Sequence, residues 1–197
     1  MASLGELERA VMERLWAAGG PVAATTLRDE LASLRKDDDA KAVGAHALTF
    51  EEFLVREAGA GRLQLPLAPV ADKAVVHGHC HQKSFGAFKP VEQVLRLVPG
   101  LKVETIESSC CGMAGAFGYG ADTYDASIEM AELSLLPAVR RADAATLVVA
   151  DGTSCRHQIK DGSGRTPLHV ASVLAISLKR AKSNSSRSLP TKEQAHG

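Results

Sequence analysis

Neither sign of charge dominates this chain. Across 197 residues, 23 Lys+Arg balance 23 Asp+Glu, with the basic residues spread along the sequence. That balance removes the electrostatic footprint of a protein whose main partner is nucleic acid or an anionic membrane. No apolar run approaches the roughly 18 residues of a spanning helix, and acids sit among the apolar positions of the first twenty residues, unlike a secretory signal. The expectation is a cytoplasmic protein, or one held peripherally at a membrane through a complex. Cysteine is sparse too, at Cys80, Cys110, Cys111 and Cys155. Without an export signal a disulfide framework is not expected, so thiolates used for metal or redox chemistry lead. What remains is 45% hydrophobic with 17 Gly and 8 Pro, enough for a core of its own and for one domain with or without an appendage.

Several chemical signatures are also missing. The glycine run Gly112-Met-Ala-Gly115-Ala-Phe-Gly118-Tyr-Gly120 has neither the order of a dinucleotide fingerprint nor the closing Gly-Lys-Ser/Thr of a P-loop. Gly152-Thr-Ser-Cys-Arg lacks the second glycine of a nucleophile elbow. No base and nucleophile pair can be picked out, so no catalytic residue is assigned.

The pattern that is present is helical first and mixed afterwards. Ser3 and Glu6 form a capping box ahead of a stripe of Leu4, Leu7, Val11 and Leu15, predicting a helix to about residue 17 that Gly19-Gly20-Pro21 ends. Further helix is expected from Thr26 toward Arg35, and again to about Ala58 from a Thr49/Glu52 capping pair. Beyond Pro66, β-branched runs alternate with helical stretches. Strands are expected at 74–77, 102–106 and 146–150, and a helix from Thr123 toward Arg141 with a late break at Pro137. A last helix is expected to be capped by Thr166, with Pro167 at its first position and Leu168, Val173, Leu174 and Leu178 on its buried face. Strand and helix in alternation predict an α/β fold with a parallel sheet and flanking helices in Rossmann-like layering. From Ser183 onward the composition predicts a disordered tail.

In open parallel sheets the ligand site lies beyond the carboxyl ends of the strands, and every cysteine falls there. Cys80 follows the first strand, Cys110-Cys111 the second and Cys155 the third, with 29 and 43 residues intervening. Three loops would then gather four sulfurs. Buried free cysteine is the plain alternative, and a vicinal Cys110–Cys111 disulfide would be strained. Zinc sites usually draw ligand pairs from Cys-x-x-Cys knuckles, which are absent. Adjacent cysteines suit an iron–sulfur cluster better, with Gly112, Met113 and the following glycines giving its backbone neighbours room and free amides. His77, His79 and His81 alternate around Cys80, each able to ligate iron, to donate to sulfur or to satisfy a backbone carbonyl. Arg156 and His157 follow Cys155 and either offset cluster charge or form a solvated pair.

Cys80, then Cys110-Cys111-Gly112, then Cys155 resembles the cysteine-rich CCG domain found in a heterodisulfide reductase subunit, in the glycolate oxidase iron–sulfur subunit and in FAD-linked oxidases with a fused ferredoxin region. The segments HGHCHQKSFGAF, SSCCGMAGAFGY and VADGTSCRHQI are most similar to the last group, the flavin and iron–sulfur D-2-hydroxyacid dehydrogenases, over about Thr26 to Ala175. The resemblance implies an electron-transfer module holding an iron–sulfur cluster of 4Fe–4S type on Cys80, Cys110, Cys111 and Cys155. His79, His81, Gly112, Met113, Arg156 and His157 would surround it. It also implies a flavoprotein partner carrying the FAD and, further on, a ferredoxin-type iron–sulfur subunit.

Two departures qualify the likeness. The family pattern often ends in Cys-x-x-Cys, whereas Arg156, His157 and Gln158 follow Cys155 here, which favours four thiolates over five. Upstream, Pro21-Val-Ala-Ala-Thr stands where relatives carry Glu-Pro-Ser-Cys. The domain expectation is a helical segment over 1–60, with 26–60 the remnant of a preceding repeat, a CCG domain over 61–182 and a tail over 183–197. Residues 4–22 resemble the first helix of penicillinase-repressor-type winged-helix regulators but bring no recognition helix or wing. A fused or truncated gene would explain both. The competing functions are a zinc-binding or structural remnant and a DNA-binding regulator, and the charge balance counts against the second.

Overall fold

The protein is described from a computed structural model that covers residues 4–19, 26 and 46–187. Two compact units divide at Thr49/Phe50. In the first, helix α1 spans Leu4–Ala18, close to the expected bounds; Ser3 of its capping box lies outside the described residues, as do most of the second predicted helix and its acidic loop.

The second unit carries the sheet. Its order is α2 (Phe50–Gly59), β1 (Lys73–His77), α3 (Cys80–Ser84), α4 (Lys89–Leu95), β2 (Lys102–Thr105), a 3₁₀ turn at Phe117–Tyr119, α5 (Tyr124–Glu132), α6 (Leu135–Arg141), β3 (Leu147–Ala150), α7 (Thr153–Ser163) and α8 (Val170–Arg187). The three strands are parallel in the order β2-β1-β3. Lys73 pairs Lys102, Ala74 pairs Leu147 and His77 pairs Ala150. The α/β expectation therefore holds, with all three strands where the β-branched runs placed them.

Side chains two apart along a strand share a face, and the two faces bury two cores. Ala74, Val76 and Val149 pack with Val91, Val94, Leu95, Val173 and Leu174 from α4 and α8. Val75, Val148 and Ala150 pack with Leu135, Val139 and Ile159 from α6 and α7, and Cys111, Met113 and Cys155 belong to this second core. Full burial of each Val or Leu is worth about 1.5–3 kcal/mol, so both faces of β1 hold the layers together.

Three local expectations change. The 123–141 helix is two helices, because Ser134 leaves helical geometry (φ −155°, ψ −43°) and starts α6. Pro137 is the third residue of that new helix, where its missing N–H has no intrahelical acceptor to lose, so it opens a helix instead of closing one. The last helix starts at Val170 rather than after Thr166. Leu168 is drawn alongside β3 instead, its N–H reaching Val148 O at 2.8 Å and its carbonyl accepting from Ala150 N at 2.9 Å. His169 then caps α8 through Nδ1 on Ala171 N at 3.0 Å. That helix continues to Arg187, past the expected start of the tail at 183, and residues 188–197 lie outside the described residues. No helix among the described residues is long and apolar enough to cross a membrane.

Ser177 ties α8 to the segment entering β1. Its hydroxyl donates to Ala68 O at 2.6 Å and accepts from Ala68 N at 3.0 Å, and the group is fully buried. Ser177→Ala takes this donor from the buried Ala68 carbonyl and leaves Ala68 N with only its longer bond to Ser177 O at 3.4 Å, a cost of about 1–3 kcal/mol. Urea denaturation should show that loss as a lower midpoint at unchanged slope; an unchanged midpoint would mean water replaces the hydroxyl.

Candidate metal centre

Each strand delivers its cysteine at the carboxyl end of the sheet. Beyond β1, His79 caps α3: its backbone is extended (φ −61°, ψ 139°), Nδ1 accepts from His81 N at 3.3 Å, and Gln82 Oε1 accepts from His79 N at 3.3 Å. Cys80 is the first residue of α3. Beyond β2, Ser108 and Ser109 lead to Cys110 and Cys111, and Lys83 of α3 holds this loop by donating to the carbonyl of Ser108, with Ser109 O at 3.5 Å. Beyond β3, Asp151 accepts from Gln82 Nε2 at 3.2 Å and from Val170 N at 3.0 Å. Gly152 then starts α7, with Cys155 in its first turn. The expectation of three loops is thus corrected: Cys80 and Cys155 open helices, and the adjacent pair alone lies in a loop.

All four cysteines are free; Cys111 and Cys155 are buried, Cys80 and Cys110 half-buried. The sulfurs of Cys111 and Cys155 and a ring nitrogen of His77 lie within 4.8 Å of one another. Beside them is a cavity of about 420 Å³, lined by Cys80, Cys110 and Cys111 with His79, His81 and Gly115. The Gly112 amide donates to Cys110 Sγ at 3.3 Å.

The electrostatics are those of crowded donors. A hydrogen bond from Cys155 pulls the Cys111 thiol down to about 4, against its burial, with His77 helping. The same contact, together with burial and the neighbouring sulfurs, pushes Cys155 far up. The pair shares one proton between two sulfurs. Burial and the charge of Cys110 raise Cys80, while burial and then the His81 charge lower His79. A cation bound here would replace those protons and let all the sulfurs ionise.

Two glycines make the approach feasible. At Gly152 a Cβ would meet Cys155 Sγ at 2.8 Å and the His79 ring at 2.3 Å. At Gly112, where φ is +89°, a Cβ would meet the Ser127 carbonyl oxygen at 2.0 Å. Gly112 therefore makes room for the backbone of α5, in addition to lending its amide to sulfur.

The remaining residues named from sequence are placed as follows. His79 and His81 stack edge to face at 5.2 Å between centroids, at the cavity. Met113 is buried in the second core with its sulfur 4.0 Å from Ser127 Oγ. Arg156 turns toward the end of β3, donating to Ala150 O at 3.1 Å and Asp151 O at 2.5 Å. His157 is exposed and pairs through Nδ1 with Tyr119 OH at 2.6 Å. Sequence reasoning missed Lys83 and the Gln82–Asp151 link, which join the three strand ends. It also did not single out His77 from its neighbours. A signal existed: His77 stands two residues beyond Val75, so it continues the face that carries Cys111 and Cys155.

No family model and no solved structure matches the chain. Among curated proteins, a subunit of the anaerobic glycerol-3-phosphate dehydrogenase of Escherichia coli K12 is 31% identical over 176 residues, which are 85% of this chain and 43% of that protein. The D-2-hydroxyglutarate dehydrogenase of the same strain is 29% identical over 147 residues, 73% of this chain and 14% of that protein. Its counterpart in Pantoea ananatis is 38% identical over 74 residues, 36% of this chain and 7% of that protein. The chain thus spans less than half the length of the curated relatives it matches, and what it resembles is part of a dehydrogenase or of a dehydrogenase subunit.

Proposed function

We propose that residues 61–182 form an iron–sulfur electron-transfer module that holds one cluster, of 4Fe–4S type, on Cys80, Cys110, Cys111 and Cys155. The first unit, up to Thr49, is separate in this reading, whereas α2 packs into the module's first core through Leu54 and α8 runs on to Arg187. The observation that carries the reading is that four free cysteines from three strand ends adjoin, Cys111 and Cys155 beside an imidazole nitrogen and Cys80 and Cys110 lining the neighbouring cavity with Cys111. The donor set fits such a group, since the sulfurs border a cavity and the Gly112 amide points at one of them. When bound, the cluster supplies one-electron transfer at a potential set by burial, charge and hydrogen bonds to sulfur. The chain's own residues hold the three strand ends in register through Lys83, Gln82 and Asp151, and leave space beside Cys155 through Gly152.

The relatives' names supply the context. Both denote oxidation of a hydroxylated, anionic substrate. This chain would take electrons from FAD in a flavoprotein partner serving a D-2-hydroxyacid or similar substrate, and pass them to a further acceptor such as a ferredoxin-type subunit. It would not bind the substrate itself. Anaerobically purified protein should be coloured, bleach on dithionite and recover on reoxidation, cycling about one electron per chain. Protein that carries iron but does not cycle would refute electron transfer.

A second reading has one observation behind it. The spacing of His77, Cys111 and Cys155 within 4.8 Å suits donors of a single tetrahedral ion, and zinc accepts such a set. Colourless protein with one zinc per chain would favour that reading.

A further inference from the structure

The second core contains one group that packing alone does not account for. His77 ends β1, is 1% exposed, and its Nε2 is the single buried side-chain nitrogen or oxygen without a hydrogen-bond partner among the described residues. Its other nitrogen is fixed, because Nδ1 lies 2.8 Å from Ser108 Oγ. That hydroxyl also donates to Ile106 O at 3.4 Å. With its proton assigned to the carbonyl, the oxygen accepts from Nδ1–H, and in that tautomer Nε2 carries a lone pair. A ring nitrogen of His77 lies within 4.8 Å of the sulfurs of Cys111 and Cys155, and with Nδ1 taken by Ser108, Nε2 is the nitrogen left for them.

The proton shared by Cys111 and Cys155 leaves Nε2 without a partner, and a buried nitrogen lone pair is unfavourable unless a donor or a cation reaches it. A histidine whose distal nitrogen is anchored by a hydroxyl or carbonyl while the other faces a metal is the usual arrangement of a metal-bound imidazole. The anchor here is built from two strand ends. Ser108 follows β2, and the carbonyls of Ser108 and Ser109 are in turn gripped by Lys83. His79 and His81 lack this arrangement. His79 Nδ1 is occupied in capping α3, and His81 is exposed.

We propose that His77 is a metal donor through Nε2, forming the buried inner corner of the site with Cys111 and Cys155 and taking the place of one of the two half-buried thiolates, Cys80 or Cys110, on its outer side. This rests on the iron–sulfur reading for the identity of the metal and deepens it: the site becomes a mixed histidine–cysteine one. Replacing thiolate by imidazole removes negative charge from an iron–sulfur centre and raises its potential. Such a centre accepts electrons more readily than an all-thiolate one.

Pulsed EPR on the reduced full-length chain, unlabelled and labelled with ¹⁵N-histidine, tests this without any substitution. A strong nitrogen coupling that changes with the isotope is expected in the wild type. It should persist in His79→Ala and His81→Ala and vanish in His77→Ala. His77→Cys keeps a donor at the corner, so it should retain iron, lose the nitrogen coupling and shift the potential downward. A cluster with its iron and sulfide in place but no strong histidine coupling, or one indifferent to His77, overturns the proposal and leaves the iron reading standing. If the protein holds zinc and no iron, the iron reading fails by itself. Cobalt(II) in the same site then reports His77, since its ligand-field bands should differ between wild type and His77→Cys, and identical bands would overturn the proposal. Protein that binds neither metal overturns both.

Discussion

Replacing Cys111 by serine is expected to strip the site of metal, lowering bound iron at least about tenfold against wild type. Cys111 is 4% exposed and lies between Cys155 and His77, so its sulfur touches every other part of the buried corner. A serine hydroxyl stays protonated where the thiol ionises. The fold itself should tolerate the exchange of sulfur for oxygen, because the two cores depend on aliphatic side chains. The loss should therefore show as colourless, folded protein. A second readout follows from linkage. A ligand bound only by the native state stabilises it, so metal-loaded wild type should melt above its chelated form. In Cys111→Ser the two melting temperatures should coincide. Wild-type iron content in this variant would refute the assignment of Cys111.

The second large effect concerns backbone rather than chemistry. Gly112→Ala should destabilise the fold by about 3 kcal/mol or more, combining a left-handed backbone that L side chains rarely adopt with a collision they cannot relieve. Its φ is +89°, and the new Cβ would sit 2.0 Å from the Ser127 carbonyl oxygen. That carbonyl also accepts from Gln158 Nε2 at 3.0 Å, while Ser127 Oγ lies 2.9 Å from the same nitrogen. Shifting Ser127 would therefore disturb a buried hub joining α5 to α7. Gly115→Ala is the control, for Gly115 has φ +72° and open space where the Cβ would go. It should cost only about 1 kcal/mol, the strain alone. Urea midpoints on the two variants check this; equal losses would show that strain decides both and that contact with α5 decides neither.

The strands and the meeting of the cysteines were legible in the sequence because both follow from simple periodicities. Val75 and Val76 lie in a run that only a doubly covered strand would carry, and Thr146–Ala150 is another. Once three parallel strands are placed, the positions just past their ends must adjoin. Helix α7 was missed because Thr153–Ser163 offers Cys155 and Ile159 as its only buried apolar residues, too few to register as a stripe. The start of α8 was misplaced because Leu168 gains sheet hydrogen bonds, a long-range competitor that no capping rule senses. Gly112 was read as space beside a cluster, whereas its clearest demand is the passage of Ser127, fifteen residues later in the chain. His77 was visible as one of three alternating histidines. Its orphaned nitrogen emerges only when the Ser108 loop folds onto it and takes the other nitrogen.

The central claim is that the strand ends hold an iron–sulfur cluster, and its most direct test is metal and acid-labile sulfide analysis of the full chain purified without oxygen. The account predicts about four irons and four sulfides per chain, in the stoichiometry of a cubane cluster. Zinc alone, or no metal after anaerobic reconstitution with iron and sulfide, would contradict it.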